Sequence, residues 1–462
     1  MSKAKRVKII GILCLALLLT AGCAQSRTEN PSSAAEMKTE SETETSFMEE
    51  TPETESAPLS EAETEFAETE VETELSKEEG PVVLGNERFE EYMPLLSGKR
   101  VAILTNQTGI IGGTDTHILD ALLEKGIDVT AVFSPEHGFR GFADAGETVE
   151  NAVDEKTGVP LISLYGNGRT NEPSQSDLER FDTVVIDIQD VGLRYFTYYI
   201  SMYYMMDACA AAGKDVIILD RPNPNGFYVD GPILREEFRS GVGQLPVPVV
   251  YGMTWGELAQ MINGEGWLDA GKDACKLTVI PCLHYTHQTK YELPVMPSPN
   301  LKDMHAIYLY PSTCYFENTI VSVGRGTGFP FNIYGSPYFA GIDGYSYTFV
   351  PESMVGAKEP PFLGETCYGV DLTGKSEEEI WENQIDLSYL IGAYQASQTY
   401  HPELSFFGKG SNGRYFVDLL FGTDSVRLMI EEGKSAAEIK DSWQEELESF
   451  REQRRPYLLY EE

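Results

Sequence analysis

The residues best placed to do chemistry are carboxylates, amides and arginines set in short loops. Glu136 lies between a proline and a histidine in Ser134-Pro135-Glu136-His137-Gly138. A carboxyl held in so tight a loop can be rigidly aimed and partly removed from water, and such desolvation would let it act as an acid. The same Glu could instead simply accept hydrogen bonds from its loop, and His137 could orient it or take part in the reaction. Asp187 and Asp190 stand three residues apart in Asp187-Ile188-Gln189-Asp190-Val191-Gly192, so only one need face a cleft. Asp187 could equally cap the turn that follows. Glu317, in a later polar loop, is a further carboxylate candidate. Arg194, Arg221 and Arg325 could each grip an anionic group through two parallel N–H bonds, or neutralise nearby carboxylates. Asn106 and Gln107, in Thr105-Asn106-Gln107-Thr108-Gly109, and Asp220 and Asn223, in Asp220-Arg221-Pro222-Asn223-Pro224, complete the polar set.

These loops need elements to hold them. Short apolar runs at 101–105, 129–134, 161–165, 183–188 and 215–219 read as strands buried on both faces, and helical segments at 117–125, 176–180 and 195–212 lie between them. Gly126 and Gly213 sit where two of those helices should stop. The pattern predicts an α/β fold, a Rossmann-like doubly wound parallel sheet over 81–239. In such a sheet ligands lie beyond the carboxyl ends of the strands, and four of the five strands run directly into the polar loops above. Near residue 240 the rhythm changes, and a second, smaller α+β auxiliary domain is expected over 240–462. It should contain a helix capped by Thr254, a strand at 276–280, and two terminal helices at 424–432 and 436–457, the second capped by Ser435. The aromatic run at 195–199 with Tyr203 and Tyr204 would suit sugar stacking, but its helical spacing assigns it to packing.

The N-terminal 80 residues are of another kind. Lys3, Lys5, Arg6 and Lys8 precede an apolar run at 9–19 and then Thr20-Ala21-Gly22-Cys23. The run is short for a bilayer span. Residues 1–23 therefore read as a signal peptide ending at a lipobox cysteine, with Cys23 the lipidated residue of an exported, membrane-anchored protein. Residues 24–80 carry 18 glutamates, many in Thr-Glu dipeptides, against Arg27, Lys38 and Lys77. Such a segment cannot bury a core and is expected to be a disordered, extended tether. The whole chain has a formal net charge of −38, which argues against nucleic acid as a partner. Beyond Cys14 and Cys23, the cysteines at 209, 275, 282, 314 and 367 are odd in number and not spaced for zinc. Cys275 and Cys282 could bridge, but no disulfide is expected. No metal or cofactor is called for, and no nucleotide-binding glycine pattern follows a strand.

Taken in order, Leu104 to Gly109, Ser134 to Gly138, Asp144-Ala145-Gly146-Glu147, Asp187 to Gly192, Leu219 to Pro224, Tyr251-Gly252-Met253-Thr254, and Glu317-Asn318-Thr319 followed by Gly324-Arg325-Gly326-Thr327 resemble the exo-β-N-acetylmuramidases of the NamZ type, glycoside hydrolase family 171. The resemblance runs from about residue 85 to 460. It implies a Rossmann-like domain plus an auxiliary domain with the site between them. It also implies release of N-acetylmuramic acid from the non-reducing end of peptidoglycan fragments, with Glu136 as a catalytic residue. On that footing Glu136 protonates the glycosidic oxygen, one of Asp187, Asp190 and Glu317 assists a nucleophile, and one of the three arginines receives the lactyl carboxylate. Two separated carboxyls are the usual requirement of glycosidases, although the 2-acetamido group of the substrate can itself be the nucleophile. The rival from another class is a sugar- or muropeptide-binding lipoprotein of a transport system, since two α/β lobes on a tethered anchor describe those proteins too.

Overall fold

The computed structural model describes residues 80–140, 151–166, 169–410 and 412–462. The expected signal peptide, Cys23, nearly all of the tether and the Asp144–Glu147 motif lie outside the described residues.

The main sheet has seven strands. In chain order they are β1 (Arg100–Thr105), β2 (Asp128–Ser134), β3 (Ala152–Val153), β4 (Pro160–Ser163), β7 (Thr183–Asp187), β8 (Asp215–Leu219) and β9 (Lys276–Ile280), with a small hairpin of β5 (Tyr165–Gly166) and β6 (Arg169–Thr170) between β4 and β7. They lie side by side as β3-β4-β2-β1-β7-β8-β9, all parallel except the edge strand β3. From β1 the chain first winds outward through β2 to β4, then restarts on the other side at β7 and winds out to β9. The direction reverses between β1 and β7, which is where a doubly wound sheet opens a crevice.

The strands are apolar throughout because both faces are covered. Ala102, Leu104, Ala131, Phe133, Val184, Ile186, Val216 and Ile218 enter one core, and the alternate residues Val101, Ile103, Val129, Val132, Val185, Ile217 and Leu219 enter the other. That is the two-residue period of a strand, interrupted in β2 by a register shift at Thr130 that puts Val129 and Val132 on the same side. The second core is closed by helices α1 (Phe89–Leu96) and α2 (Ile118–Glu124). The first is closed by α4 (Tyr198–Ala212) and α5 (Trp255–Gly264), with the four-residue α3 (Gln175–Leu178) at its margin. It continues without interruption into the C-terminal half.

This continuity corrects the expected boundary at 239/240. Lys276–Ile280 is not a strand of an auxiliary domain but the sixth parallel strand of the main sheet, paired with β8 along its whole length. The auxiliary elements begin with α6 (Met304–Thr313), followed by an antiparallel sheet of β10 (Ile333–Ser336), β12 (Cys367–Asp371) and β11 (Tyr347–Phe349), and by short C-terminal helices. The last expected helix is two. Ser435 caps Ala436–Asp441 with a full capping box, and a new helix, Gln444–Arg454, starts after Trp443. The break follows from Trp443, whose side chain is buried and donates its indole N–H to Asp230 at 3.0 Å. All five cysteines of the folded body are free and buried.

Candidate functional site

The reversal point joins the loops after β1 and β7. Thr105 and Asp187 are register partners at the strand ends, and the Thr105 hydroxyl donates to the Asp187 carbonyl at 2.8 Å. In the next turn Asn106 Oδ1 accepts from both the backbone N–H and the hydroxyl of Thr108, and Gln189 N–H donates to Thr108 Oγ1 at 2.9 Å. His117, the N-cap of α2, locks the same turn: its Nδ1 accepts from Leu119 N–H and its Nε2 donates to the Asn106 carbonyl at 2.8 Å. That tautomer is neutral, in keeping with a pKa lowered mainly by burial. Stitched loops with unspent polar groups are the mark of a binding site. Asn106 Nδ2, Gln107 Oε1, Gln189 Oε1 and Asp190 Oδ1 are all buried without a hydrogen-bond partner, a concentration that native interiors otherwise avoid.

Glu136 stands at the end of β2, partly exposed. The turn that carries it closes with Gly138 N–H donating to the Pro135 carbonyl at 3.1 Å, and both His137 (φ 68°) and Gly138 (φ 73°) adopt left-handed backbone. A non-glycine residue in that region is a strained choice of the kind that clusters at functional sites. The Thr197 hydroxyl donates to Glu136 Oε2 at 2.7 Å. Thr197 is the residue immediately before α4, so the carboxylate also lies at the positive end of a 15-residue helix. Tyr198, the next residue, sits edge-on to His137 with centroids 6.3 Å apart and donates to the Pro297 carbonyl at 2.7 Å. Burial, and then the nearby Glu136 carboxylate, push its phenol far above the ordinary range, while the amides of Asn106 and Gln107 act in the opposite sense. Gln107 Nε2 reaches the same Pro297 carbonyl at 3.1 Å. Asn106, Gln107, Glu136, His137, Thr197 and Tyr198 therefore form one group. Thr197 and Tyr198 were hidden in the aromatic run assigned to packing.

The remaining candidates divide by what they touch. Asp187 is fully buried and ion-paired with Arg221 (Nε to Oδ1, 2.6 Å), and Asn86 donates to its other oxygen at 3.0 Å. Arg221 also donates to the Ile110 carbonyl at 3.0 Å. This pair ties the loops after β1, β7 and β8 together. Asp190 accepts from Gly192 N–H at 2.8 Å and from the Tyr251 hydroxyl, and its pKa is pushed up to about 6 chiefly by burial. Asp220 accepts from Thr254, Gly256 N–H and Tyr460, and its pKa is likewise raised to about 6, by burial first. It fixes the start of α5 rather than facing an opening. Asn223 is spent on the Met253 carbonyl and the Asn225 N–H.

Arg194, expected as an anion receptor, is fully buried and donates to the carbonyls of Pro232, Val247 and Leu420 at 2.6 to 3.0 Å. It is a staple between the sheet and the C-terminal helices. Glu317 and Arg325 do meet across their loop, Nε to Oε1 at 2.7 Å, each side chain about one-fifth exposed. The turn around Arg325 depends on its glycines. Gly324 and Gly326 have φ of 77° and 80°, and a Cβ at either would collide with Ile333 or with the Glu352 carbonyl and Pro360. Among the described residues no group of three or more His, Cys, Asp or Glu side chains is arranged to hold a metal ion.

Comparison with known proteins gives concordant results. The family model described as exo-beta-N-acetylmuramidase NamZ, N-terminal, matches residues 101–305, and its C-terminal companion matches 308–460. The two models meet next to the start of α6, well past 239/240. The peptidoglycan beta-N-acetylmuramidase NamZ of Bacillus subtilis (strain 168) is 35% identical over 387 residues, which cover 80% of this chain and 89% of that one. A crystal structure of a DUF1343 family protein from Bacteroides fragilis is 52% identical, with a TM-score of 0.74, covering 83% of this chain and all of the other. A second DUF1343 protein of that organism is 27% identical, with a TM-score of 0.69, over 82% of this chain and 99% of its own.

Proposed function

This chain belongs to the NamZ family of exo-β-N-acetylmuramidases, a family of glycoside hydrolases, and from that premise we propose its reaction and the residues that carry it. It releases N-acetylmuramic acid from the non-reducing end of peptidoglycan fragments. Glu136 is the principal catalytic carboxyl and protonates the departing glycosidic oxygen. The observation that supports this role is the setting of Glu136: a carboxyl that reaches solvent at the rim of the sheet, in a strained turn, with one oxygen fixed by Thr197. A hydrogen bond on Oε2 aims the rest of the group, and a fixed proton donor is what general acid catalysis requires.

Of the other carboxylates, Asp187 is committed to Arg221 and Glu317 to Arg325. Asp190 makes no ion pair among the described residues, lies next to the Trp255 indole and the Val191 N–H as well as Tyr251 and Gly192, and has a pKa pushed up to about 6 by burial, so it can exchange a proton close to neutrality. We assign it the second place, supporting the nucleophile or the 2-acetamido group. The lipid at Cys23 and the acidic tether hold the enzyme outside the cytoplasm, on the membrane, within reach of wall fragments. Incubating the protein with a chromogenic N-acetylmuramide and with the matching N-acetylglucosaminide tests the reaction. Selective release from the muramide is expected, whereas tight binding of either sugar without turnover would point to a carrier.

A further inference from the structure

An N-acetylmuramic acid unit differs from N-acetylglucosamine only by the lactyl ether on O3, so a muramidase must read that one carboxylate. Three arginines were open to this role on sequence grounds, and the structure separates them. Arg194 is buried in the core with both Nη groups on backbone carbonyls, three in all, and Arg221 is closed in its pair with Asp187 and on the Ile110 carbonyl. Arg325 is different. Glu317 takes its Nε, and the guanidinium lies over the Phe331 ring at 5.1 Å from the centroid. Those two contacts fix the plane of the group. Among the described residues nothing accepts a hydrogen bond from Nη1 or Nη2, and the side chain reaches solvent. Phe331 is itself held at φ 65°, an unusual conformation for a bulky residue, with its N–H on the Val323 carbonyl at 2.7 Å.

Two routes connect this guanidinium with Glu136. Tyr310 packs against Phe331 (4.7 Å between centroids) on one side and Phe196 (6.4 Å) on the other, and Phe196 packs against Tyr198 at 4.7 Å. Independently, Lys302 Nζ donates to the Thr327 carbonyl at 2.9 Å. That contact ties the Arg325 turn to the segment whose Pro297 carbonyl receives Tyr198 and Gln107. A continuous chain of packed, buried aromatic rings thus links the loop of Glu136 to the turn of Arg325.

Resting on the muramidase reading above, we infer that Arg325, oriented by Glu317 and Phe331, binds the lactyl carboxylate through its Nη edge and sets the preference for muramic acid over glucosamine. The loss of a bidentate charge-assisted contact is expected to weaken recognition about 10- to 100-fold.

The test measures kcat/KM on 4-nitrophenyl N-acetyl-β-muramide, on its lactyl methylamide and on 4-nitrophenyl N-acetyl-β-glucosaminide, for the parent enzyme and for R325K, R325Q and E317Q. R325K keeps a cation beside Glu317 and so guards against simple unfolding. The expected result is a 10- to 100-fold fall in the muramide-to-glucosaminide ratio in R325Q, a smaller fall in R325K and E317Q, and no further loss in R325Q when the acid is replaced by the methylamide. An unchanged ratio in both Arg325 variants, or a parent enzyme indifferent to the methylamide, overturns the assignment. If the parent enzyme cleaves neither glycoside, the muramidase reading falls, and calorimetric titration with the free sugars then decides on Arg325 alone. N-acetylmuramic acid binding that is lost in R325Q while N-acetylglucosamine binding stays the same supports the site; equal binding of both sugars by the parent rejects it.

Discussion

Thr197 shows how a single hydroxyl makes a loop carboxylate useful. Its bond to Glu136 Oε2 is charge-assisted when Glu136 is ionised and is made by the residue immediately before α4. Hydrogen bonds to charged groups are worth about 1.5–3 kcal/mol, so Thr197→Val is expected to lower kcat by about 10- to 100-fold with a much smaller change in KM. Thr197→Ser should restore most of the rate, and the thermal midpoint should move little in either variant. Glu136 was legible from its own loop. Thr197 was not, because its role exists only once the sheet places the end of β2 beside the start of α4. Arg194 teaches the converse. Its charge suggested a ligand, but its three carbonyl partners come from residues 232, 247 and 420, contacts that no local pattern encodes.

At the scale of elements, the strands declared themselves because a parallel sheet covered on both faces demands uninterrupted apolar runs. The run at 276–280 is just as clear, yet the change of rhythm near 240 points it to a second domain, whereas it pairs with β8. More than fifty residues separate it from β8, and periodicity states that a strand exists, not which sheet it joins. What holds the loops at the reversal point is the buried Asp187–Arg221 pair, with Asn86 and Ile110 completing it. Removing one partner of such a pair leaves an uncompensated buried charge, at a cost of about 3–5 kcal/mol. Asp187→Ala should therefore lower the midpoint of urea unfolding sharply. An Asp187→Ala variant as stable as the parent would show that the loops are held by other contacts.

For the whole molecule, three buried groups make stability depend on pH in one direction. Burial raises the pKa of Asp190 and of Asp220 to about 6. The His287 pKa is also raised, since the pull of Glu257 and the hydrogen bonds to Glu257 and Gly226 together outweigh burial. His287 has an oxygen against each ring nitrogen, Gly226 O at 3.1 Å and Glu257 Oε1 at 3.0 Å, a setting that favours the protonated ring. A group whose pKa is raised on folding stabilises fully below its unfolded value, and that stabilisation is lost as pH climbs through the folded value. The two aspartates lose their contribution between about pH 4 and 6, and His287 loses its own above about 6.5. Unfolding free energy should thus fall as pH rises from 5 to 8, by up to a few kcal/mol, and His287→Gln should flatten the upper part of that slope. Denaturant titrations across the range would show it. The C-terminal tail belongs to this network, with Tyr460 on Asp220 and Leu459 N–H on Glu257, so the last residues of the chain brace a loop of the first sheet.

The central claim is that Glu136 performs the chemistry of a muramidase. Replacing it with Gln keeps the size and the hydrogen bond from Thr197 while removing the acid, and release of the chromophore from a chromogenic N-acetylmuramide is then measured beside the thermal midpoint. The account predicts turnover at least a hundredfold below the parent with an unchanged midpoint; turnover within a few fold of the parent would contradict it.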